Sequence, residues 1–227
     1  MTADPPLVLD VDGTLTRPEG WGLDPRVFDP LREWEAPVVI ATGKAFPYPV
    51  ALCQFVGVPE LVVAENGGVV YTGDDVFFTA DPEAARAVVE DYRAAGYEPG
   101  WGAEDTVNRW RETEVAINLE QPVEPLREIA AEHGLEVVDT GYAYHVKDTE
   151  PNKGDGVETI AEHVGFDLAE TVAVGDSIND VSTFEVAGRS FAVANADAAA
   201  TEAADEVLEE GHADGTLTAL ERVRGSR

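Results

Sequence analysis

One stretch decides the fold of this chain: Leu7-Val8-Leu9-Asp10-Val11-Asp12-Gly13-Thr14-Leu15. Its first three residues are aliphatic, a pattern that predicts a short strand buried on both faces. Asp10 and Asp12 follow at the carboxyl end of that strand. Because residues two apart on an extended chain point to the same side, the two carboxylates are expected to face one small volume. Such a pair can supply a nucleophile and a proton donor, whereas an ordinary Asp-rich turn is the structural alternative.

The same pattern, an apolar strand that ends in polar residues, recurs along the chain. Thr42 and Gly43 follow the second strand, and Asp176 and Asp180 lie in the turn after the fourth strand. A helix opening at Lys153 precedes that fourth strand. Because strands alternate with helices, the sequence predicts an α/β fold with a doubly wound parallel sheet. The predicted strands lie at 7–9, 38–41, 61–64, 171–174 and 191–194, with a hairpin at 67–71.

The pattern changes in the middle of the chain, where residues 79–150 predict an inserted, smaller α+β module. A long helix from about residue 81 and a second helix near 123–132 accompany two strands at 136–146. Apolar and polar residues alternate in these last strands, as they do in antiparallel strands with one exposed face. We therefore expect a core formed by 1–78 and 151–227, with the insertion as a cap.

The composition is strongly acidic, with 45 Asp and Glu against 15 Lys and Arg and a net charge of −30. This charge opposes nucleic-acid binding, and its self-repulsion is screened only at high salt. The composition resembles that of proteins from salt-loving archaea. The sequence has no apolar run long enough to span a membrane and no basic, apolar leader, and its one cysteine excludes an internal disulfide. A cytoplasmic location is expected.

The polar strand ends should meet, because ligands of open α/β sheets bind beyond the carboxyl ends of the strands. Four carboxylates in one crevice require a cation, and an all-oxygen ligand set favours Mg²⁺ over zinc. Mg²⁺ accepts phosphate oxygens, so a small anionic phosphate ester is the expected substrate. Thr42, Gly43 and Lys153 would then donate hydrogen bonds to the phosphoryl oxygens.

The chain carries four short motifs in this order: Asp10-Val11-Asp12-Gly13-Thr14, Thr42-Gly43, Lys153 and Gly175-Asp176-Ser177-Ile178-Asn179-Asp180. Their residues and their order resemble the four motifs of the haloacid dehalogenase-like hydrolases. The resemblance implies that Asp10 attacks phosphorus and that Asp12 protonates the departing alkoxide and later activates water. It also implies that Mg²⁺ is held by Asp10, the backbone carbonyl of Asp12 and Asp176, with Asp180 ligating or orienting the outer shell. An acid at position 12 favours phosphate-ester hydrolysis over carbon–halogen cleavage.

The insertion resembles the cap of the Cof-like and sucrose-phosphatase-like branch of that family. Three short segments look like those of the archaeal phosphoglycolate phosphatases, which implies 2-phosphoglycolate as substrate. Arg109 and Arg111 could then grip a substrate carboxylate, and pairing with nearby glutamates on the surface is the alternative. His145 and Lys147 are expected to face the crevice. The segments are 65–68, 108–112 and 141–145.

Other functions stay open at this stage. A sugar-phosphate phosphatase or a phosphohexomutase of the same branch is the closest enzymatic alternative. A receiver-like domain phosphorylated on aspartate uses a related acidic pair, threonine and lysine, but is about half as long. A catalytically silent binding protein is the third class. The oligomeric state is open, with a homodimer among the candidates, and Lys44 has no assigned role.

Overall fold

The computed structural model describes residues 4–18 and 22–225, which form two β-sheets and their helices. The strands are β1 (Leu7–Leu9), β2 (Val38–Ala41), β3 (Leu61–Ala64), β4 (Val69–Tyr71), β5 (Val76–Phe78), β6 (Val115–Asn118), β7 (Glu136–Asp139), β8 (Ala143–Lys147), β9 (Val172–Gly175), β10 (Arg189–Ala192) and β11 (Glu206–Val207). The helices are α1 (Phe28–Arg32), α2 (Pro47–Val56), α3 (Pro82–Ala94), α4 (Val123–Glu132), α5 (Lys153–Val164), α6 (Val181–Val186), α7 (Ala198–Ala203) and α8 (His212–Gly225).

The larger sheet has the strand order β11-β10-β9-β1-β2-β3-β4-β5. Strand β1 lies inside it, parallel to both neighbours, with Leu9 opposite Ile40 on β2 and Val174 on β9. This register brings the carboxyl ends of the three strands to one edge. Among the described strands of this sheet, the antiparallel pairings are those of β3 with β4 and of β4 with β5, which extend β3 as the hairpin pattern predicted.

Both faces of this sheet are covered, which confirms the doubly wound α/β fold. Leu7 and Leu9 pack into one apolar cluster, while Val8 packs into a second cluster on the opposite face, together with Val157 and Ile160 of α5. A strand buried on both sides needs apolar residues at every position. This requirement explains the uninterrupted aliphatic runs in the sequence.

The smaller sheet has the order β6-β8-β7, is antiparallel throughout and lies within the predicted insertion. Helices α3 and α4 cover one face, where Tyr92 and Leu126 pack with Val146 and Tyr144 of β8. Tyr142, just before β8, is half-exposed and stacks on Trp101 at 5.6 Å between ring centroids. The exact boundaries at 78/79 and 150/151 stay a prediction.

Two further segments differ from the sequence-based expectation. Arg109 and Arg111 would lie on one face only in an extended chain, and the segment 106–110 forms turns instead. After the last predicted strand, the chain forms α7 and α8 and also contributes the edge strand β11, which pairs with β10. In the described part of the chain, no helix has both the length and the apolar character needed to span a membrane.

Candidate active site

Lys153 lies at the centre of the strand ends. It begins α5, after Asn152 caps the helix by accepting a hydrogen bond from the backbone N–H of Asp155. Its side chain is fully buried, and Nζ lies 2.7 Å from Oδ1 of Asp10 and 2.7 Å from Oδ1 of Asp180. The ammonium also donates to Oδ1 of Asn179 at 3.2 Å. A buried ammonium is stable only with such partners, so the position of this lysine depends on its pairs with Asp10 and Asp180.

Three acidic side chains converge beside that ammonium. One carboxylate oxygen from each of Asp10, Asp176 and Asp180 lies within 4.8 Å of the others. Burial raises the pKa of Asp10 well above its usual range, and the neighbouring acids add to this effect while Lys153 opposes it. Burial and the charge of Asp180 raise the pKa of Asp176 to about 7. One ammonium therefore does not balance the three carboxylates.

This cluster has the composition of a site for a hard divalent cation. All three side chains offer oxygen ligands, and their unbalanced negative charge favours a bound cation. Gly13 makes room for Asp176: its φ is +83°, and a Cβ there would lie 2.0 Å from Oδ2 of Asp176. The Thr14 hydroxyl donates to Oδ1 of Asp176 at 3.2 Å. The residues present therefore fit a metal ion such as Mg²⁺.

Asp180 holds the acidic turn in shape as well as pairing with Lys153. Its Oδ2 accepts hydrogen bonds from the backbone N–H groups of Asp176 and Ser177, at 2.9 and 3.1 Å. The side chain of Asp180 is buried with its two oxygens in separate roles. The turn after β9 is thus fixed before any ligand binds.

Asp12 departs from the sequence-based expectation. Strand β1 ends at Leu9, so the alternation that placed Asp10 and Asp12 on one face does not reach them. The side chain of Asp10 is buried against Lys153, whereas that of Asp12 is 57% exposed and lies 2.8 Å from Nζ of Lys44. Of the four carboxylates expected in one crevice, three converge, while Asp12 pairs with a second lysine and still lies close enough for its charge to contribute to the raised pKa of Asp176.

Thr42 and Gly43 follow β2 on the same edge of the sheet. Thr42 is buried, and its Oγ1 accepts a hydrogen bond from the backbone N–H of Lys44 at 3.2 Å, which leaves the hydroxyl proton to donate elsewhere. The backbone carbonyl of Gly43 accepts from Arg111 of the insertion at 3.2 Å. The loop after β2 is therefore in direct contact with the inserted module.

The turn at Glu65 and Asn66, part of the segment 65–68 to which the sequence assigned no structural role, joins the two sheets. Both residues have left-handed backbone angles, with φ of +51° and +55°, a costly conformation that surrounding contacts must maintain. The buried Glu65 carboxylate accepts hydrogen bonds from the backbone N–H groups of Glu112 and Thr113, and its neighbour Asn66 bonds to Asn179 and Glu114. This turn therefore connects the acidic cluster to the insertion.

Arg111 is buried at the junction, and Arg109 is not. Arg111 pairs with buried Glu114, and its Nε atom is buried without a hydrogen-bond partner among the described residues. Burial lowers the pKa of Arg111. Arg109 is more than half exposed and contacts Glu104 at 3.7 Å and the ring of Trp110. The structure thus brings Arg111, but not Arg109, into contact with the motif loops.

His145 also belongs to this junction. Its Nδ1 lies 3.1 Å from Oε1 of Glu114, and burial followed by the charge of Arg111 lowers its pKa to about 3. His145 is therefore neutral near pH 7 and donates its Nδ1 proton to Glu114. His145 and Lys147 line a cleft between the two sheets, as we expected from the strand alternation.

Two cavities flank the acidic cluster. The larger, about 810 Å³, is the cleft lined by His145 and Lys147, and it reaches Lys153 and Asn179 on the core side. The smaller, about 220 Å³, is lined by Asp12 and Lys44. Ligands could therefore approach the strand ends from two directions.

Comparisons with known proteins agree with this geometry. Residues 120–220 match the family model described as haloacid dehalogenase-like hydrolase. The phosphoglycolate phosphatase of Natronomonas pharaonis is 58% identical over 98% of this chain and 99% of its own length. That of Halorubrum lacusprofundi is 59% identical over 97% of each chain. Among solved structures, one from Thermoplasma acidophilum has a TM-score of 0.82 at 23% identity, over 98% of this chain and 99% of its own.

Proposed function

The chain belongs to the haloacid dehalogenase-like hydrolases, and we propose that it is a Mg²⁺-dependent phosphatase that hydrolyses 2-phosphoglycolate to glycolate and phosphate. The observation that carries this proposal is the convergence of Lys153, Asp176 and Asp180 on the Asp10 carboxylate. A receiver-like domain has no need of the inserted sheet that contacts this site. The family membership also favours an enzyme over a silent binding protein.

The first chemical step transfers the phosphoryl group to Asp10. Lys153 holds Oδ1, so Oδ2 is the oxygen that attacks phosphorus. The bond between phosphorus and the leaving oxygen breaks, and Asp12 gives its proton to that oxygen. The products of this step are an aspartyl-phosphate and the free alcohol.

The second step returns the enzyme to its starting form. The Asp12 carboxylate takes a proton from water as the water oxygen attacks phosphorus. The bond from phosphorus to Asp10 breaks, which releases inorganic phosphate and restores both the Asp10 carboxylate and the protonated Asp12. The exposure of Asp12 supports this role, because water and the leaving group must both reach its side chain.

The metal would be held by Asp10, Asp176 and the backbone carbonyl of Asp12, with Asp180 ligating or orienting the outer shell. When bound, Mg²⁺ neutralises charge on the phosphoryl oxygens. Thr42, the Gly43 N–H group and Lys153 would donate hydrogen bonds to the same oxygens. Lys153 already donates to Asp10, Asn179 and Asp180, so it would exchange one of these three bonds, the longest being the 3.2 Å bond to Asn179, for a bond to the substrate.

We also propose that Arg111 contacts the anionic substrate. Its free Nε–H group is a buried donor beside Gly43, and a buried donor without a partner favours binding of an anion. Arg109 stays a predicted substrate ligand with no described contact in its support. We choose 2-phosphoglycolate as the substrate because haloarchaeal relatives that are 53% to 59% identical to this chain are named phosphoglycolate phosphatase.

A release assay for inorganic phosphate tests the proposal. Purified protein in molar KCl with Mg²⁺ is offered about thirty phosphate monoesters, and we expect 2-phosphoglycolate to have the highest kcat/KM. Asp10→Asn should lose at least about 10³-fold in kcat, while Asp74→Asn, an exposed acid far from the motifs, should retain wild-type activity. Hydrolysis that survives in Asp10→Asn would eliminate the covalent mechanism.

A sugar-phosphate phosphatase or phosphohexomutase is the second candidate, because the cleft of about 810 Å³ beside Lys153 is far larger than glycolate. The same assay distinguishes it. Preferential release of phosphate from a hexose phosphate would favour the sugar phosphatase. Isomerised sugar phosphate without stoichiometric phosphate release would indicate the mutase.

A further inference from the structure

Lys44, one of three lysines in the chain, lies next to Asp12, and no role has been assigned to it so far. Its backbone is held by the loops around it: the N–H group donates to Oγ1 of Thr42 at 3.2 Å, and the carbonyl accepts from the N–H group of Glu65 at 3.1 Å. Its side chain is 37% exposed and reaches Asp12, with Nζ 2.8 Å from Oδ2. The ammonium is therefore anchored next to the proposed proton donor.

Asp12 and Lys44 line the smaller cavity together. Thr16 and Tyr48 add polar groups, and Leu23 and Leu52 add apolar surface. If Asp12 protonates the leaving oxygen, the rest of the leaving group must lie on the Asp12 side of the phosphorus atom. Of the two cavities, Asp12 lines the smaller one and not the larger cleft, so the smaller cavity is the space that this side offers.

The volume of this cavity limits the leaving group. At about 220 Å³, it is below the range of roughly 300 to 1,000 Å³ that is usual for ligand pockets. A two-carbon acid is well suited to such a space. The larger cleft would be needed only for a larger alcohol.

The charge of the cavity points to the chemistry of that small leaving group. Asp12 and Lys44 are its charged lining residues in the described part of the chain. Without Lys44, the cavity would offer no positive charge to an anion, in a chain that already carries a net charge of −30. An ammonium has three donors, so Lys44 can keep Asp12 and bind a second carboxylate at the same time. Arg111 does not line this cavity and pairs with Glu114 instead.

We propose that Lys44 binds the carboxylate of the leaving group and so selects phosphorylated short-chain hydroxy acids over neutral phosphate esters. This inference rests on the proposed phosphatase function, in which Asp12 faces the leaving oxygen. Lys44 bridges the substrate carboxylate and Asp12, which places the leaving oxygen next to the proton donor. It is a specificity-determining residue and takes no part in bond making or breaking.

A comparison of two substrates tests the role of Lys44. 2-Phosphoglycolate and 2-hydroxyethyl phosphate share a skeleton and differ by the carboxylate. In Lys44→Met, kcat/KM for 2-phosphoglycolate should fall about 30-fold, mainly through KM, while 2-hydroxyethyl phosphate should change less than about threefold. Lys44→Arg should retain most of the preference, because it keeps the positive charge. Arg127→Met, the matched control, removes a half-exposed cation of α4 that lines neither cavity, and it should leave the ratio of the two kcat/KM values unchanged within about twofold.

Product inhibition provides a second measurement. The inhibition constant of glycolate should rise about 30-fold in Lys44→Met, and that of inorganic phosphate should stay within about twofold of wild type. If Lys44→Met lowered kcat/KM equally for both substrates and left the inhibition constant of glycolate unchanged, Lys44 would act only through Asp12. That result would overturn the inference. If the wild-type protein hydrolyses neither ester, the proposed function itself fails, and this inference fails with it.

Discussion

Nζ of Lys153 lies 2.7 Å from Oδ1 of Asp10, and both side chains are buried. Because Lys153 also pairs with Asp180, removing its charge leaves two buried carboxylates without a cation. We expect Lys153→Met to lose about 3 to 5 kcal/mol of unfolding free energy in metal-free buffer, by urea denaturation at constant salt. With Mg²⁺ present, its kcat should fall by about 10²-fold to 10³-fold, the effect of losing one charge-stabilising donor.

The control for this prediction is Lys147→Met. Lys147 and Glu136 are both partly exposed and pair at 3.2 Å, so the loss of the lysine should cost no more than about 1 kcal/mol. A stability loss of equal size in both variants would mean that the Lys153 pairs are no stronger than a surface ion pair.

Metal binding should stabilise the fold through the acidic cluster. A ligand at 100 times its Kd adds about 2.7 kcal/mol to the free energy of unfolding, which corresponds to a rise in Tm of about 5 to 10 °C for a chain of this size. We expect Mg²⁺ to produce this rise in differential scanning fluorimetry at constant KCl, and EDTA to reverse it. Asp176→Asn should reduce the rise to less than about a third.

Asp74→Asn controls for general ionic effects in this experiment, since Asp74 is exposed and outside the cluster. It should keep the full rise in Tm. A full rise in Asp176→Asn would place the stabilising ion elsewhere.

The parallel sheet could be predicted because its strands are buried on both faces. Val62 and Val63 of β3 illustrate this: both are fully buried, and they belong to clusters on opposite sides of the sheet. The two-residue strand β11 could not be predicted, because Glu206 and Val207 carry no periodic signal and pair only after α7 turns the chain back. The turns at 106–110 were missed for the same reason, since short aperiodic segments take their shape from their neighbours.

The positions of site residues could be predicted where the residue directly follows a strand. They could not be predicted where a turn or the insertion determines the direction of the side chain. Asp10 and Asp176 follow β1 and β9, so the sheet register brings them together. The direction of the Asp12 side chain depends on the turn that begins after Leu9. The partners of Glu65 in the insertion lie 47 to 49 residues further along the chain and meet it only when the two sheets dock.

Glu65 should hold the insertion against the core. Its carboxylate accepts hydrogen bonds from the backbone N–H groups of Glu112, Thr113 and Glu114, at 3.0, 2.7 and 3.3 Å to the nearest oxygen. In Glu65→Gln, the amide NH₂ would replace one acceptor with a donor that faces these donors. We expect a loss of about 3 kcal/mol in unfolding free energy and faster limited proteolysis between 95 and 115.

Glu60→Gln is the matched substitution for Glu65→Gln, because Glu60 accepts a hydrogen bond from Gln54 at the surface. It should change the unfolding free energy by less than about 0.5 kcal/mol and leave the proteolysis rate unchanged. If Glu65→Gln behaved like Glu60→Gln, the contacts of Glu65 with the insertion would contribute little to its docking.

His145 should make stability depend on pH. Its pKa is lowered to about 3 in the folded protein by burial and by the charge of Arg111, compared with about 6.5 in the unfolded chain. Between these values, the unfolded state binds a proton that the folded state does not, so the free energy of unfolding falls as pH decreases below 6.5. The stability is fully present above pH 6.5 and is lost progressively toward pH 3. At pH 5, the loss amounts to about 2 kcal/mol.

The variant His145→Asn isolates this contribution, since Asn keeps a donor for Glu114 but does not titrate. Other acids also titrate in this range, so the quantity to measure is the difference between wild type and variant in urea unfolding at pH 7.5 and pH 5, at constant KCl. We expect the wild type to lose about 2 kcal/mol more than His145→Asn over this interval, whatever the cost of the substitution at pH 7.5. His163→Gln, which removes an exposed histidine of α5, should follow the wild-type pH dependence. If His145→Asn lost as much unfolding free energy as the wild type between pH 7.5 and pH 5, His145 would be protonated in the folded protein at pH 5. Its bond to Glu114 would then be an ion pair.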